Sequence, residues 1–159
     1  MGWVEDLHGK KVGVDTAPVI YLIEAHATYI ESVRRFFAAV DAGDIQAVTS
    51  TVTLLEVSVQ PLRRGAVELA RRYRDILLNS PGLSCLEVSS DVAEDAARLR
   101  ATYNLRTPDA IQLATAIRSG ASTFLTNDKF LPSIPSIRFL ILGCVDILDF
   151  FRIYFILEV

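Results

Sequence analysis

The chain is poor in the residues that thiol and soft-metal chemistry require. It has two cysteines, Cys85 and Cys144, and two histidines, His8 and His26, among 159 residues. Scattered this widely, they exclude a Cys/His zinc cluster. Any hydrolytic reading must also do without a histidine base. Each cysteine lies within an apolar run and reads as a buried strand residue, a reduced core thiol of a cytoplasmic protein rather than half of a disulfide. Low-complexity tracts and repeats at solenoid periods are missing. The N-terminal residues Met1-Gly2-Trp3-Val4-Glu5-Asp6 lack the basic and apolar regions of a signal peptide. Basic charge is not in excess: the net charge of −3 argues against a general polyanion binder. The apolar residues 145–159 carry Asp146, Asp149 and Arg152 at three-residue spacing, which argues against a membrane span.

What is present describes one globular domain. Hydrophobic residues make up 51% and charged residues 22% of a chain long enough to bury a substantial core. Short apolar runs alternate with amphipathic stretches. Strands are predicted over 10–15, 45–50, 83–88, 121–126 and 137–142. Helices are predicted after Pro18, over 28–42, 51–59 with Pro61 as the stop, 64–78, 91–103 capped by Ser90 with Glu94 as capping-box partner, and 107–119. The last helix opens on Thr107 as N-cap, Pro108 and Asp109. This alternation predicts an α/β domain with a largely parallel five-stranded sheet between helices, whose site lies beyond the carboxyl ends of the strands.

That rule makes four acids informative. Asp15 ends the first strand, Asp128 follows the fourth, Glu56 lies in the helix after the second, and Asp109 opens the helix before the fourth. Each has an ordinary structural reading as well. Asp15 suits a turn, Glu56 a T-x-x-E capping box with Thr53, Asp128 the cap of a following helix, and Asp109 the first turn of its own helix. If all four converge, like charges repel by about 4 kcal/mol per close pair at an effective dielectric near 20. A divalent cation relieves that repulsion. Oxygen-only ligands select Mg²⁺ or Mn²⁺, and such an ion suits phosphodiester hydrolysis. Glu24 reads as solvated, and Asp146 lies away from the predicted edge. A second feature is a run of arginines (Arg63, Arg64, Arg71, Arg72, Arg74), either a solvated helix face or a surface for a phosphate backbone.

Four segments, taken in order, resemble the PIN-domain nucleases and among them the VapC-like toxins of toxin–antitoxin pairs. They are Val14-Asp15-Thr16-Ala17-Pro18-Val19-Ile20-Tyr21-Leu22, Ser50-Thr51-Val52-Thr53-Leu54-Leu55-Glu56-Val57, Leu105-Arg106-Thr107-Pro108-Asp109-Ala110-Ile111-Gln112-Leu113-Ala114-Thr115-Ala116 and Phe124-Leu125-Thr126-Asn127-Asp128. The resemblance implies a Rossmann-like, three-layer PIN domain over residues 1–144 and a Mg²⁺-dependent endoribonuclease, with Mn²⁺ able to substitute. It implies Asp15 and Asp109 as principal metal ligands, with Glu56 and Asp128 completing the catalytic acids. Thr16 and Asn127 match polar positions that place water or phosphate. A homodimer, an RNA substrate and a cognate antitoxin follow from the same resemblance. The contrasting expectation is a non-catalytic PIN-like module that binds RNA or a partner. A phosphotransfer receiver domain is disfavoured, because Ser89-Ser90 stands after the third strand where a phosphoacceptor Asp is needed.

The apolar extension 145–159 departs from this pattern, and so much apolar surface is expected to dock on the domain or on a second subunit. Deletion of residues 145–159 is expected to change solubility or oligomeric state in size-exclusion chromatography. Unchanged behaviour would show that the extension covers nothing.

Overall fold

Five short β-strands, all parallel, run in the order β3-β2-β1-β4-β5. The computed structural model describes residues 2–145. The strands are β1 (Lys11–Val14), β2 (Gln46–Ser50), β3 (Leu83–Leu86), β4 (Thr123–Thr126) and β5 (Arg138–Ile141). The helices are α1 (Thr16–Ile23), α2 (Ile30–Asp41), α3 (Thr51–Arg63), α4 (Val67–Asn79), α5 (Ser90–Tyr103) and α6 (Thr107–Arg118). The chain builds outward from β1 through β2 to β3, then returns to the other side of β1 for β4 and β5. The strand order therefore reverses between β1 and β4, the position at which open parallel sheets place their ligands.

Alternation along the strands divides the interior into two cores. Val12 and Val14 of β1, Ala47 of β2 and Leu125 of β4 join residues of α1 to α4, with Phe36, Val33, Tyr73 and Leu77 among the most buried. The opposite face carries Phe124 of β4 with Val92 and Ala96 of α5 and Ala110, Leu113, Ala114 and Ala116 of α6. The result is a three-layer α/β/α domain. Gly13 is the β1 residue turned toward α6. A Cβ there would lie 2.5 Å from Ala116 Cβ and 2.7 Å from Phe124 Cδ2, so α6 lies against the strand only because that side chain is missing.

Several boundaries differ from expectation for local reasons. Pro61 lies inside α3, near its end, where a missing N–H interrupts the ladder least. The helix stops beyond it near Gly65, at φ +69°. The same glycine delays α4 to Val67. Ser89, not Ser90, caps α5 by accepting from Val92 N at 3.2 Å; the third residue after Ser89 is Val92 and after Ser90 is Ala93, so Glu94 is no capping-box partner and pairs instead with Arg98 at 3.6 Å. Arg106, not Thr107, is the N-cap of α6, because its carbonyl accepts the first helical bond from Ala110 N. Thr16 to Pro18 belong to α1 rather than to a turn. Neither cysteine is a fully buried strand residue. Cys85 is half-buried in β3, where burial pushes its thiol pKa up, and Cys144 is exposed in a helical turn after β5; both are free.

No helix among the described residues is long and apolar enough to cross a membrane. The polar stripe of the extension, with Asp146, Asp149 and Arg152, lies outside the described residues, while Val145 is buried against the α1–α4 core. Gly13→Ala is expected to destabilise the domain by about 1–3 kcal/mol through overpacking between β1 and α6. Urea unfolding measures this, and a loss confined to a few tenths would mean that α6 withdraws without cost.

Candidate active site

The acids gather where the strand order reverses. Asp15 follows β1 and caps α1 in an extended conformation, its Oδ1 accepting from Thr16 N at 2.8 Å. Its other oxygen accepts from the Thr126 hydroxyl at the end of β4, at 2.6 Å. Asp15 N reaches across to Leu125 O at 2.9 Å, so the residue ties β1 to β4 through backbone and side chain. Burial pushes the Asp15 carboxyl pKa up. The Thr126 and Thr16 bonds oppose that shift, and the negative charges of Asp109 and Glu56 add to it. Three of the four acids therefore act on one another electrostatically.

Glu56 arrives from α3. The Thr16 hydroxyl donates to its Oε2, so Glu56 is not the capping partner of Thr53; the N-cap of α3 is Ser50, accepting from Val52 N at 3.2 Å. Thr16 thereby serves Glu56. Asp128 joins through Thr126, whose Oγ1 accepts from Asp128 N at 3.0 Å while donating to Asp15. Asp128 Oδ1 then accepts from Phe130 N at 2.9 Å, so the acid closes a local turn and caps no helix. Asn127 is committed on both sides: its Nδ2 donates to Tyr21 Oη at 3.0 Å and its Oδ1 accepts from Gly143 N at 3.0 Å. It pins the turn after β5 to α1.

Asp109 stands in the first turn of α6. Arg106 grips it in a fork, Nε to Oδ2 at 2.7 Å and Nη2 to Oδ1 at 3.2 Å. Among the described residues, no three Asp, Glu, His or Cys side chains are drawn together closely enough to form a ready metal cage. The donor chemistry nonetheless fits a hard divalent cation. The set is oxygen-only, and the Asp15 carboxylate is desolvated in the field of two further acids, a combination that a cation relieves.

Beneath the acids lies a polar layer that motif reading misses. Gln112, buried on α6, donates through Nε2 to the Thr53 hydroxyl and, at 3.4 Å, to Thr16 Oγ1; its Oε1 accepts from Ser50 Oγ at 3.0 Å. Thr49 donates to Val14 O at 2.9 Å and meets Thr53 at 2.7 Å. These contacts join β1, β2, α1, α3 and α6 under Thr16 and Glu56. The available signal was spacing: Gln112 follows Asp109 by three residues, on the same side of α6, and Thr126 precedes Asp128 by two. Glu24 is exposed, as expected, but accepts from the buried Tyr73 Oη at 2.6 Å, which together with burial raises the Tyr73 pKa. The five arginines of the α3–α4 region are all exposed, and Arg71 pairs with Glu68 at 2.8 Å.

An open, all-parallel sheet with acids at its reversal point defines an α/β domain with an acidic edge. A family model of the PIN domain matches residues 12–136, and the chain belongs to that family. Its fold is that of VapC-type toxins. A toxin–antitoxin complex from Klebsiella pneumoniae is 27% identical with a TM-score of 0.60, covering 81% of this chain and 95% of that one. VapBC2 from Rickettsia felis, bound to a DNA fragment from its promoter, is 18% identical with a TM-score of 0.63, covering 82% and 97%. Mycobacterium tuberculosis VapC20, a Sarcin-Ricin loop cleaving toxin, is 20% identical with a TM-score of 0.59, covering 72% and 87%. Comparison with curated proteins gives no match.

The raised Asp15 pKa has a definite consequence for stability. Burying the ionised carboxylate costs nothing below its unfolded pKa of about 4, and the cost is fully present above the raised folded value. Asp15→Asn retains an N-cap acceptor and removes the charge. In the absence of metal the variant is expected to melt above wild type at pH 7, with the difference shrinking toward pH 4. Identical melting curves at both pH values would show that the Thr126 and Thr16 bonds already cancel the burial cost.

Proposed function

We propose that this protein is a Mg²⁺-dependent endoribonuclease, the toxin of a toxin–antitoxin pair. The observation that carries the proposal is the Asp15 carboxylate, desolvated at the sheet reversal in the field of Asp109 and Glu56. Family membership and the likeness to VapC structures support the same reading. Asp15 and Asp109 are the principal ligands for Mg²⁺ or Mn²⁺, and Glu56 and Asp128 complete the acidic set. Bound there, the ion supplies activation of water and neutralisation of charge on the phosphodiester.

The chain's own residues do the rest. Thr126 and Thr16 N hold Asp15 in one orientation with both oxygens fixed. The Thr16 hydroxyl, backed by Gln112, aims Glu56. Glu56 is the carboxylate that orients the attacking water or takes its proton. Asn127, through Tyr21 and Gly143, keeps the neighbouring loop in place so that Asp128 remains at the rim.

The relatives solved as toxin–antitoxin complexes support an antitoxin as partner, and we place the toxin in the cytoplasm as a homodimer. A non-catalytic binding module is the second reading. The observation in its favour is the Arg106 fork, which occupies both oxygens of Asp109.

Cleavage of RNA is expected to require Mg²⁺ or Mn²⁺ and to stop in EDTA. Asp15→Asn and Asp109→Asn should each lower the rate by more than about 100-fold, a barrier increase of roughly 2.7 kcal/mol, while circular dichroism shows an intact fold. An Asp15→Asn/Asp109→Asn double variant that cuts RNA at the wild-type rate would sink the nuclease reading. Failure of the wild type to bind millimolar Mn²⁺ in calorimetry would favour the module.

A further inference from the structure

The residue that stands between the acids and a metal is Arg106. It occupies the N-cap of α6 in an extended conformation, and its side chain makes no capping bond. Instead the guanidinium folds over the first turn and takes both oxygens of Asp109. The pair is asymmetric: the Arg106 side chain is 74% exposed and the Asp109 side chain 16%. The cation is the solvent-facing partner, and the acid is the sheltered one. The guanidinium also lies in the fields of Asp128 and Glu56, which, after Asp109 itself, raise its pKa. Other cations of α5 and α6 are engaged elsewhere: Arg98 and Arg118 on Glu94, Asp95 and Asp91, and Arg100 through Nε on Leu105 O at 3.0 Å.

We infer that Arg106 is a displaceable counter-ion of the acidic site: it competes with the metal for Asp109, and once displaced it presents its guanidinium to a phosphate of the RNA. This rests on the metal-dependent reading above. The physical argument has two parts. While forked to Arg106, each Asp109 oxygen already accepts one N–H and the carboxylate charge is already matched, so a metal binding there must share the carboxylate with a cation or break the fork. Breaking it is easy, because an exposed ion pair contributes only up to about 1 kcal/mol, whereas a divalent cation shared by several carboxylates gains more. The released guanidinium is planar and suited to phosphate oxygens, and it remains tethered three residues from Asp109 at the rim an anionic substrate must approach. Arg106 therefore lowers metal affinity and raises substrate affinity, acting as a positioning residue for both.

The test is Mn²⁺ titration of the full chain by calorimetry, read beside steady-state kinetics. Arg106→Gln is expected to bind Mn²⁺ roughly fivefold more tightly than wild type, the factor that about 1 kcal/mol of lost competition represents. Arg106→Lys keeps the charge and loses the fork, and its affinity should fall between the two. Arg98→Gln, a cation removed from outside the set, should match wild type. With Mn²⁺ saturating, Arg106→Gln should raise KM for a mixed-sequence single-stranded RNA severalfold with a smaller change in kcat.

Unchanged or weaker Mn²⁺ binding in Arg106→Gln, with wild type binding normally, would overturn this inference and leave the nuclease reading standing. A Lys variant identical to wild type would overturn the fork as the competing element. Unchanged KM in Arg106→Gln would overturn the phosphate role. No Mn²⁺ binding by wild type or variant would remove the metal reading and this inference together.

Discussion

A half-buried carboxylate sits where the strand order of a parallel sheet reverses, and the surrounding structure answers to it. Asp15 is held there by β1, whose two buried valines, Val12 and Val14, fix the direction in which the strand runs. Desolvation disfavours its charge, so the neighbourhood supplies compensation from two sources: the Thr126 hydroxyl and the Thr16 amide at the N-terminal end of α1. Neither is a full positive charge. The arrangement orients an anion without neutralising it, unlike an internal salt bridge.

The layer beneath the acids explains how five elements agree on one geometry. Gln112 uses its donor and its acceptor at once, bridging α6 to Ser50, Thr53 and Thr16. Buried polar networks of this kind are costly if half-made and specify a single arrangement when complete. Four side chains of the layer, Thr49, Ser50, Thr53 and Gln112, are all buried, so misplacement of one element strands the partners of the others. The site is thereby coupled to correct packing of α3 and α6 rather than to any single loop.

Much of this was legible in the sequence. Strand and helix order, the parallel sheet and the positions of the acids follow from apolar periodicity and from the rule that sites lie beyond strand ends. What misled were local details in which tertiary structure chose between near-equivalents. Ser89 and Ser90 are chemically alike as caps, and Pro61 is tolerated because the helix was about to end. The acids were found because their position relative to the strands is a property of the chain. Gln112, Thr53 and Thr126 were not, because a hydroxyl or amide in an apolar helix or strand carries no mark of which distant element it will meet. Arg106 was quoted as part of a motif, yet its fork onto Asp109 depends on the α6 N-terminus beginning one residue early.

Gly13 bears on the site in a way its position does not advertise. It precedes Asp15 by two residues on β1, while Ala116 lies seven residues, close to two helical turns, after Asp109 on α6. The two carboxylates therefore ride on bodies whose separation is gauged by the contact between a glycine and an alanine. A spacer of one methyl group at that contact would act like a shim placed far from a pair of jaws. Side-chain volume at positions 13 and 116 thus bears on how far apart β1 and α6 carry Asp15 and Asp109.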